Sequence, residues 1–109
     1  MTKLKTIYLD HAATTPIYGE VIEEMVQIME STYGNPSSIH TQGRKARFLL
    51  DRSRIVIAEA IGAKDSEIIF TSGGTEADNI AVFGVAYSMK DKGNHIITTN
   101  IEHNAVNQA

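Results

Sequence analysis

Apolar residues recur at steps of three and four in three stretches of the chain. In the first, Val21, Met25, Ile28 and Met29 repeat with Ile22 and Val26 beside them, which predicts a helix from about Tyr18 to Ser31. Glu20, Glu23 and Glu24 fall in its first turns, where the helix dipole favours negative charge. In the second, Ala46, Leu49, Leu50, Ser53, Ile57, Ala60 and Ile61 share one face of a helix over about Thr41–Ile61. Arg44, Lys45, Arg47, Asp51, Arg52 and Arg54 decorate the rest, a solvated face, and Gly62 stands where a left-handed cap is expected. In the third, Ile80, Phe83, Gly84 and Tyr87 supply the buried stripe of a helix from Thr75 to about Lys92, ended by Gly93.

A different pattern separates these stretches. Glu67–Thr71 and His95–Thr99 are short, apolar and rich in β-branched residues, and read as strands. Strand, helix and strand then make a βαβ-like unit, which favours a parallel sheet and an α/β fold. Ile7-Tyr8-Leu9 is a brief β-prone run leading into small and polar residues up to Pro16, an extended arm entering the first helix. Tyr33–Ser38 holds glycine, Asn-Pro and two serines and reads as a loop; Lys64–Ser66 is a short turn. From Ile101 to Val106 another loop or helix begins. Parallel sheets are covered on both faces. Two or three strands are too few for that, so the pattern reads as the opening third or less of a larger domain.

Composition narrows the function classes. A chain of 109 residues allows one domain at most, and 42% hydrophobic with 21% charged residues is ordinary for a globular protein. A net charge of −3 gives no reason to expect nucleic acid or an anionic membrane as partner. With no cysteine there is no disulfide, thiolate metal site or cysteine nucleophile within the 109 residues. No apolar run approaches the ~20 residues that span a bilayer, and the N-terminus lacks a signal-peptide core. The cytoplasm is the default expectation.

The chemistry concentrates in Ile68–Asn79, a predicted strand, a Gly-Gly turn and a helix start. Such a corner presents free backbone N–H groups; Gly73 and Gly74 allow close approach, and Thr75 adds a hydroxyl. The plain alternative is a turn that only joins two elements. No Gly-Lys-Ser/Thr follows, and G-x-G-x-x-G is absent. Glu76 and Asp78 disfavour a polyphosphate, so a single phosphate monoester suits the corner better. His103 lies just after the second predicted strand, at the sheet edge where ligands bind in open α/β folds; its bland reading is a solvated loop residue. His11 and His40 sit in polar loops, and His95 opens a strand. Without cysteine or H-E-x-x-H spacing no metal site is expected. Asn35–Ser38 reads most simply as a connection between helices.

Four stretches together resemble a known family. Tyr8–Pro16 (YLDHAATTP), Tyr33–His40 (YGNPSSIH), Ile68–Asn79 (IIFTSGGTEADN) and His95–Val106 (HIITTNIEHNAV) occur in the order and spacing of NifS/IscS-type cysteine desulfurases. These belong to the class V aminotransferase group of fold-type I pyridoxal phosphate enzymes. The resemblance spans essentially the whole chain. It implies that Gly74 and Thr75 hold the phosphate of pyridoxal 5′-phosphate. It also implies that His103 stacks on the cofactor ring and takes part in proton transfer. Asp10–Thr14 and Asn35–His40 would lie near the substrate entrance or the dimer partner, with no individual role assigned to Asp10, His11, Asn35 or His40. Residues 1–15 would form an arm that joins the family's small domain. Residues 16–109 would begin the cofactor-binding large domain, with an incomplete, mainly parallel sheet and flanking helices.

In the family the cofactor serves as an electron sink for L-cysteine. An enzyme thiolate takes the substrate sulfur, leaving alanine and a persulfide that feeds iron–sulfur cluster assembly or thiolation. A homodimer and a sulfur-accepting scaffold are the implied partners. The 109 residues hold no counterpart of the family's Schiff-base lysine motif, its pyridine-pairing aspartate, its carboxylate-binding arginine or its cysteine; Lys64, Lys90 and Lys92 sit in turns or at a helix end. The expectation is therefore a desulfurase whose first 109 residues are inactive alone. Its rivals are another class V enzyme, such as a selenocysteine lyase or aminotransferase, and a non-catalytic fragment.

Overall fold

The structure, a computed structural model, describes residues 6–109. The first five residues of the expected 1–15 arm lie outside the described residues. Two bodies are distinguished, one running to Gly62 and the other from Ala63 to Ala109.

The first body carries two helices. Helix α1 spans Gly19–Ser31, with Tyr18 extended as its N-cap and the Thr32 N–H closing on the Ile28 carbonyl at 2.8 Å. Helix α2 spans Thr41–Ile61. Its start is capped by His40, whose Nδ1 accepts the Gly43 N–H at 3.3 Å. Its end follows expectation: Gly62 adopts φ 69°, ψ 28°, and its N–H turns back to the Ala58 and Glu59 carbonyls. A side chain there would meet the steric penalty of left-handed backbone, which glycine escapes.

The loop before α2 is tightly seated on it. Asn35 Oδ1 accepts the Ser37 N–H, and the Asn35 carbonyl accepts the Ser38 N–H, each at 2.9 Å. The Arg44 guanidinium donates to the Ile39 carbonyl. A Cβ on Gly43 would run into the Ser38 carbonyl oxygen and lie 2.8 Å from that of Asn35; one on Gly34 would run into the Gln42 carbonyl. Both glycines permit close backbone approach. Gly43, Ala46 and Ala58 are the buried residues of α2. The expected face of α2 is thus buried only in part: Leu49 and Leu50 are half-buried, while Ile57, Ala60 and Ile61 are exposed.

The second body begins with a 3-10 turn at Asp65–Glu67, in which the Glu67 carboxylate accepts the Lys64 N–H at 2.8 Å. Helix α3 then spans Gly74–Ser88 and the single turn α4 spans Asn104–Asn107. The two helices pack on each other, with Ala105 buried to 6% exposure. Helix α3 stops four residues short of the expected Lys92. Past Met89 the hydrogen bonds tighten: the Lys92 and Gly93 N–H groups both close on the Met89 carbonyl, at 2.8 and 3.2 Å.

Three expectations are not met among the described residues. Among the described residues there is no β-strand. Glu67 belongs to the 3-10 turn, and neither 68–71 nor 95–99 forms a ladder, so no βαβ unit is closed. β-branched residues supply strand propensity, but a strand exists only when a neighbour answers its N–H and C=O groups. The apolar stripe of α3 is also not buried, since Ile80, Phe83 and Tyr87 are exposed, although the Phe83 and Tyr87 rings stack at 6.2 Å.

The same holds for α1, whose Val21, Ile22, Met25, Val26 and Met29 all face outward. The chain exposes 10011 Å². Two compact bodies of half its 11.9 kDa would together expose roughly 7200 Å². Large apolar side chains stand in that excess, with Ile97 at 90% exposure. The helices stand where periodicity put them, but most of the large apolar side chains expected on their buried faces are exposed among the described residues.

Candidate functional site

The Gly-Gly corner forms as a helix start. Gly73 is the N-cap of α3, in extended backbone at φ 165°, ψ −179°, and no side chain caps the helix. The first intrahelical bond is Ala77 N–H to the Gly73 carbonyl at 3.1 Å. Helix geometry leaves the N–H groups of Gly74, Thr75 and Glu76 without intrahelical acceptors. They point out of a positive dipole end, which favours an anion. A Cβ on Gly73 or Gly74 would meet nothing within 4 Å; the space beside them is an open shelf that a ligand, or a side chain, would fill. Convergent amide donors, the Thr75 hydroxyl and this space fit a phosphate monoester.

Glu76 shapes the corner in a way its position alone did not reveal. Its carboxylate bends back and accepts both the Ser72 N–H at 2.6 Å and the Ser72 hydroxyl at 2.7 Å. Those two donors, the backbone one first, hold its pKa below the ordinary glutamate value. Glu76 therefore stays ionised, with its charge spent on Ser72. Thr71 completes the corner by donating its hydroxyl to the Gly73 carbonyl at 3.2 Å.

His103 caps α4. Its Nδ1 accepts the Ala105 N–H at 3.1 Å. An Nδ1 that accepts places the proton of a neutral ring on Nε2, so Nε2 is the edge free for other work. The ring is exposed. Because α4 packs on α3, the structure brings the His103 segment to the helix that starts at Gly74. The link is specific: Asn79 Nδ2 donates to the Thr75 carbonyl at 2.8 Å and to the Ala105 carbonyl at 3.3 Å.

The remaining histidines have other local neighbours. His11 meets the Tyr8 ring edge-on at 5.1 Å, and His40 is the α2 cap. His95 lines a groove with Val82, Val85, Met89 and Ile96. Asn35 works within its own loop. Sequence reasoning missed the capping roles of His40 and His103, the Glu76–Ser72 bonds and the Asn79 bridge. A glutamate in the first turn of a glycine-capped helix was the available signal for the second of these; the caps are local contacts two and three residues long, and the third depends on the packing of α4 on α3. No helix among the described residues is long and apolar enough to cross a membrane.

The model of the aminotransferase class-V family matches residues 7–109. The cysteine desulfurase IscS of Dictyoglomus turgidum is 54% identical over 102 residues, covering 94% of this chain and 26% of that protein. The cysteine desulfurase IscS of Methanosarcina thermophila is 49% identical over 105 residues, covering 96% of this chain and 26% of that protein. A solved structure titled NifS-like protein superposes with a TM-score of 0.80 at 40% identity, covering 88% of this chain and 26% of its own. The chain thus spans about a quarter of the length of these relatives, and shares the backbone course of the NifS-like protein over that quarter. With a family match that runs through every element described, from the Ile7 arm to α4, this chain belongs to the aminotransferase class-V family.

Proposed function

We propose that this chain is the cofactor-phosphate portion of a pyridoxal phosphate-dependent cysteine desulfurase. The observation that carries the reading is the uncapped start of α3 at Gly74 and Thr75, on a helix packed against the segment of His103. Membership of the class-V family and the names of the relatives support it. In this reading the Gly74 and Thr75 N–H groups and the Thr75 hydroxyl hold the cofactor phosphate. His103 faces the ring and holds or passes a proton at Nε2. The bound cofactor supplies an electron sink for L-cysteine. Segments 67–71 and 95–99 become strands of a mainly parallel sheet when neighbours pair with them, and the exposed faces of α1 and α3 are covered in the same assembly. A homodimer, a sulfur-accepting protein partner and a cytoplasmic setting belong to the same proposal.

The test is a chimaera in which this chain replaces the matching residues of the Dictyoglomus turgidum protein. It should release alanine from L-cysteine when pyridoxal phosphate is supplied. Thr75→Ala should weaken cofactor binding by about ten-fold, the loss of one charge-assisted hydrogen bond. A chimaera that folds but binds no cofactor would refute the reading. The 109 residues alone should release no alanine, and detectable release would overturn that part of it.

A further inference from the structure

We propose that Asn79 is the positioning residue that sets His103 against the phosphate corner, a role that rests on the reading of Gly74, Thr75 and His103 given above. The cofactor phosphate and the ring-facing histidine come from elements separated by a long connection, Met89–His103. Something must hold their mutual placement. Asn79 is half-buried on α3, one turn past Thr75, and its single side-chain amide nitrogen bridges two carbonyls. The Thr75 carbonyl belongs to the residue whose N–H and hydroxyl would face the phosphate. The Ala105 carbonyl belongs to the residue whose N–H is bound by His103 Nδ1. The Asn79 amide thus joins the two halves of the site in a line: Thr75, Asn79, Ala105, His103. Ala105 is the buried seat of α4 on α3, so the bridge lies where the two helices touch and water competes least.

The residue type is suited to this and poorly suited to a merely helical role. Asparagine is a weaker helix former than alanine, and its bond to the carbonyl four residues back competes with the backbone rather than reinforcing it. Its donor to Ala105, 26 residues away, is what the helix itself does not need. The consequence for His103 is a fixed tautomer. While α4 is seated, Nδ1 stays an acceptor and Nε2 carries the proton. When α4 lifts and its single turn, no longer held by Asn79, unwinds, the cap at Ala105 is lost and both tautomers of the ring are populated.

The experiment is nitrogen-15 NMR of the protein labelled at histidine and at backbone amides, with Asn79→Ala and Asn79→Asp. In the unsubstituted protein His103 should show the Nε2–H tautomer, and the Ala105 N–H should be protected from exchange. Asn79→Ala should mix the tautomers and speed Ala105 exchange about five- to ten-fold, as expected for one lost bond. The amides of Val82 to Val85 in α3 should stay as protected or become more so. Asn79→Asp keeps the shape but turns carboxylate oxygens toward two carbonyls, and should be at least as damaging. If His103 keeps its tautomer in both variants, or shows none to begin with, Asn79 does not position it. A loss of protection throughout α3 in both variants would equally overturn the proposal by making the role structural. In the chimaera, Asn79→Ala should weaken pyridoxamine 5′-phosphate several-fold and leave inorganic phosphate affinity within two-fold. A chimaera that binds neither refutes the cofactor reading, while the His103 spectra still decide the role of Asn79.

Discussion

Replacing Gly43 by alanine should open the loop that carries the Asn35–His40 motif. Two effects oppose each other. Alanine favours helix over glycine by about 1 kcal/mol, and Gly43 lies in the first turn of α2. Against that, the new Cβ would overlap the Ser38 carbonyl oxygen, sit 2.7 Å from the Ser38 Cβ and 2.8 Å from the Asn35 carbonyl oxygen. Two of those three neighbours are backbone atoms, which no rotamer change removes. Overpacking costs about 1–3 kcal/mol where side chains can shift, and here the upper end or beyond applies. The net should be about 2 kcal/mol against the loop, or roughly thirty-fold in its opening equilibrium.

Native-state hydrogen exchange reads this locally. The informative amides are Ser38, bonded to the Asn35 carbonyl at 2.9 Å, and Arg44, bonded to the His40 carbonyl at 3.0 Å. Gly84→Ala is the control. It lies inside α3, and its Cβ would meet nothing within 4 Å, so it should stabilise its helix by about 0.5–1 kcal/mol. If both substitutions slow exchange, or Gly43→Ala leaves Ser38 and Arg44 unchanged, the close approach of loop and helix is refuted.

Three further outcomes are expected. Gly62→Ala should cost about 1 kcal/mol of α2 stability, because its φ of 69° lies in the region that L side chains avoid; unfolding midpoints equal to those of the parent would contradict this. The Ser72–Glu76 bonds should respond to acid with a definite sign. The carboxyl pKa is lowered in the folded chain, so the bonds are complete above the ordinary value of 4.5 and are lost as the pH falls through the lower, folded value. The Ser72 amide proton shift against pH measures it: a midpoint at or above 4.5 would be the wrong result, and Glu76→Gln should abolish the titration. The exposed apolar faces of α1 and α3 should bind a hydrophobic dye strongly in the 109-residue chain and weakly in the chimaera; equal binding in both would mean that the rest of the family's domain leaves those faces uncovered.

The helices were legible in the sequence because their causes are local. Three- and four-residue periodicity placed α1 and α2 to within a residue, and Gly62 marked the end of α2 by its backbone freedom. The start of α3 at the Gly-Gly turn was equally readable. What was not readable is what depends on neighbours. Ile69, Ile96 and Ile97 have the side chains of buried strands, yet they are exposed and lie in no strand among the described residues, since propensity alone does not make a sheet. At the site, Gly74, Thr75 and His103 were named from the motif and its family resemblance, but the couplings were hidden. Asn79 reached Ala105 only through packing of α3 on α4, and the back-bend of Glu76 onto Ser72 depends on the extended backbone of Gly73.

The decisive measurement is an amide-resolved NMR titration of the protein with pyridoxamine 5′-phosphate, which lacks the aldehyde that would react with surface lysines, alongside inorganic phosphate. Both ligands should shift the amides of Gly74, Thr75 and Glu76, and only the ring-bearing ligand should also shift His103. Shifts confined to the arginine-bearing face of α2 around Arg44 and Arg47, with the start of α3 silent, would mean that this corner does not hold the cofactor phosphate.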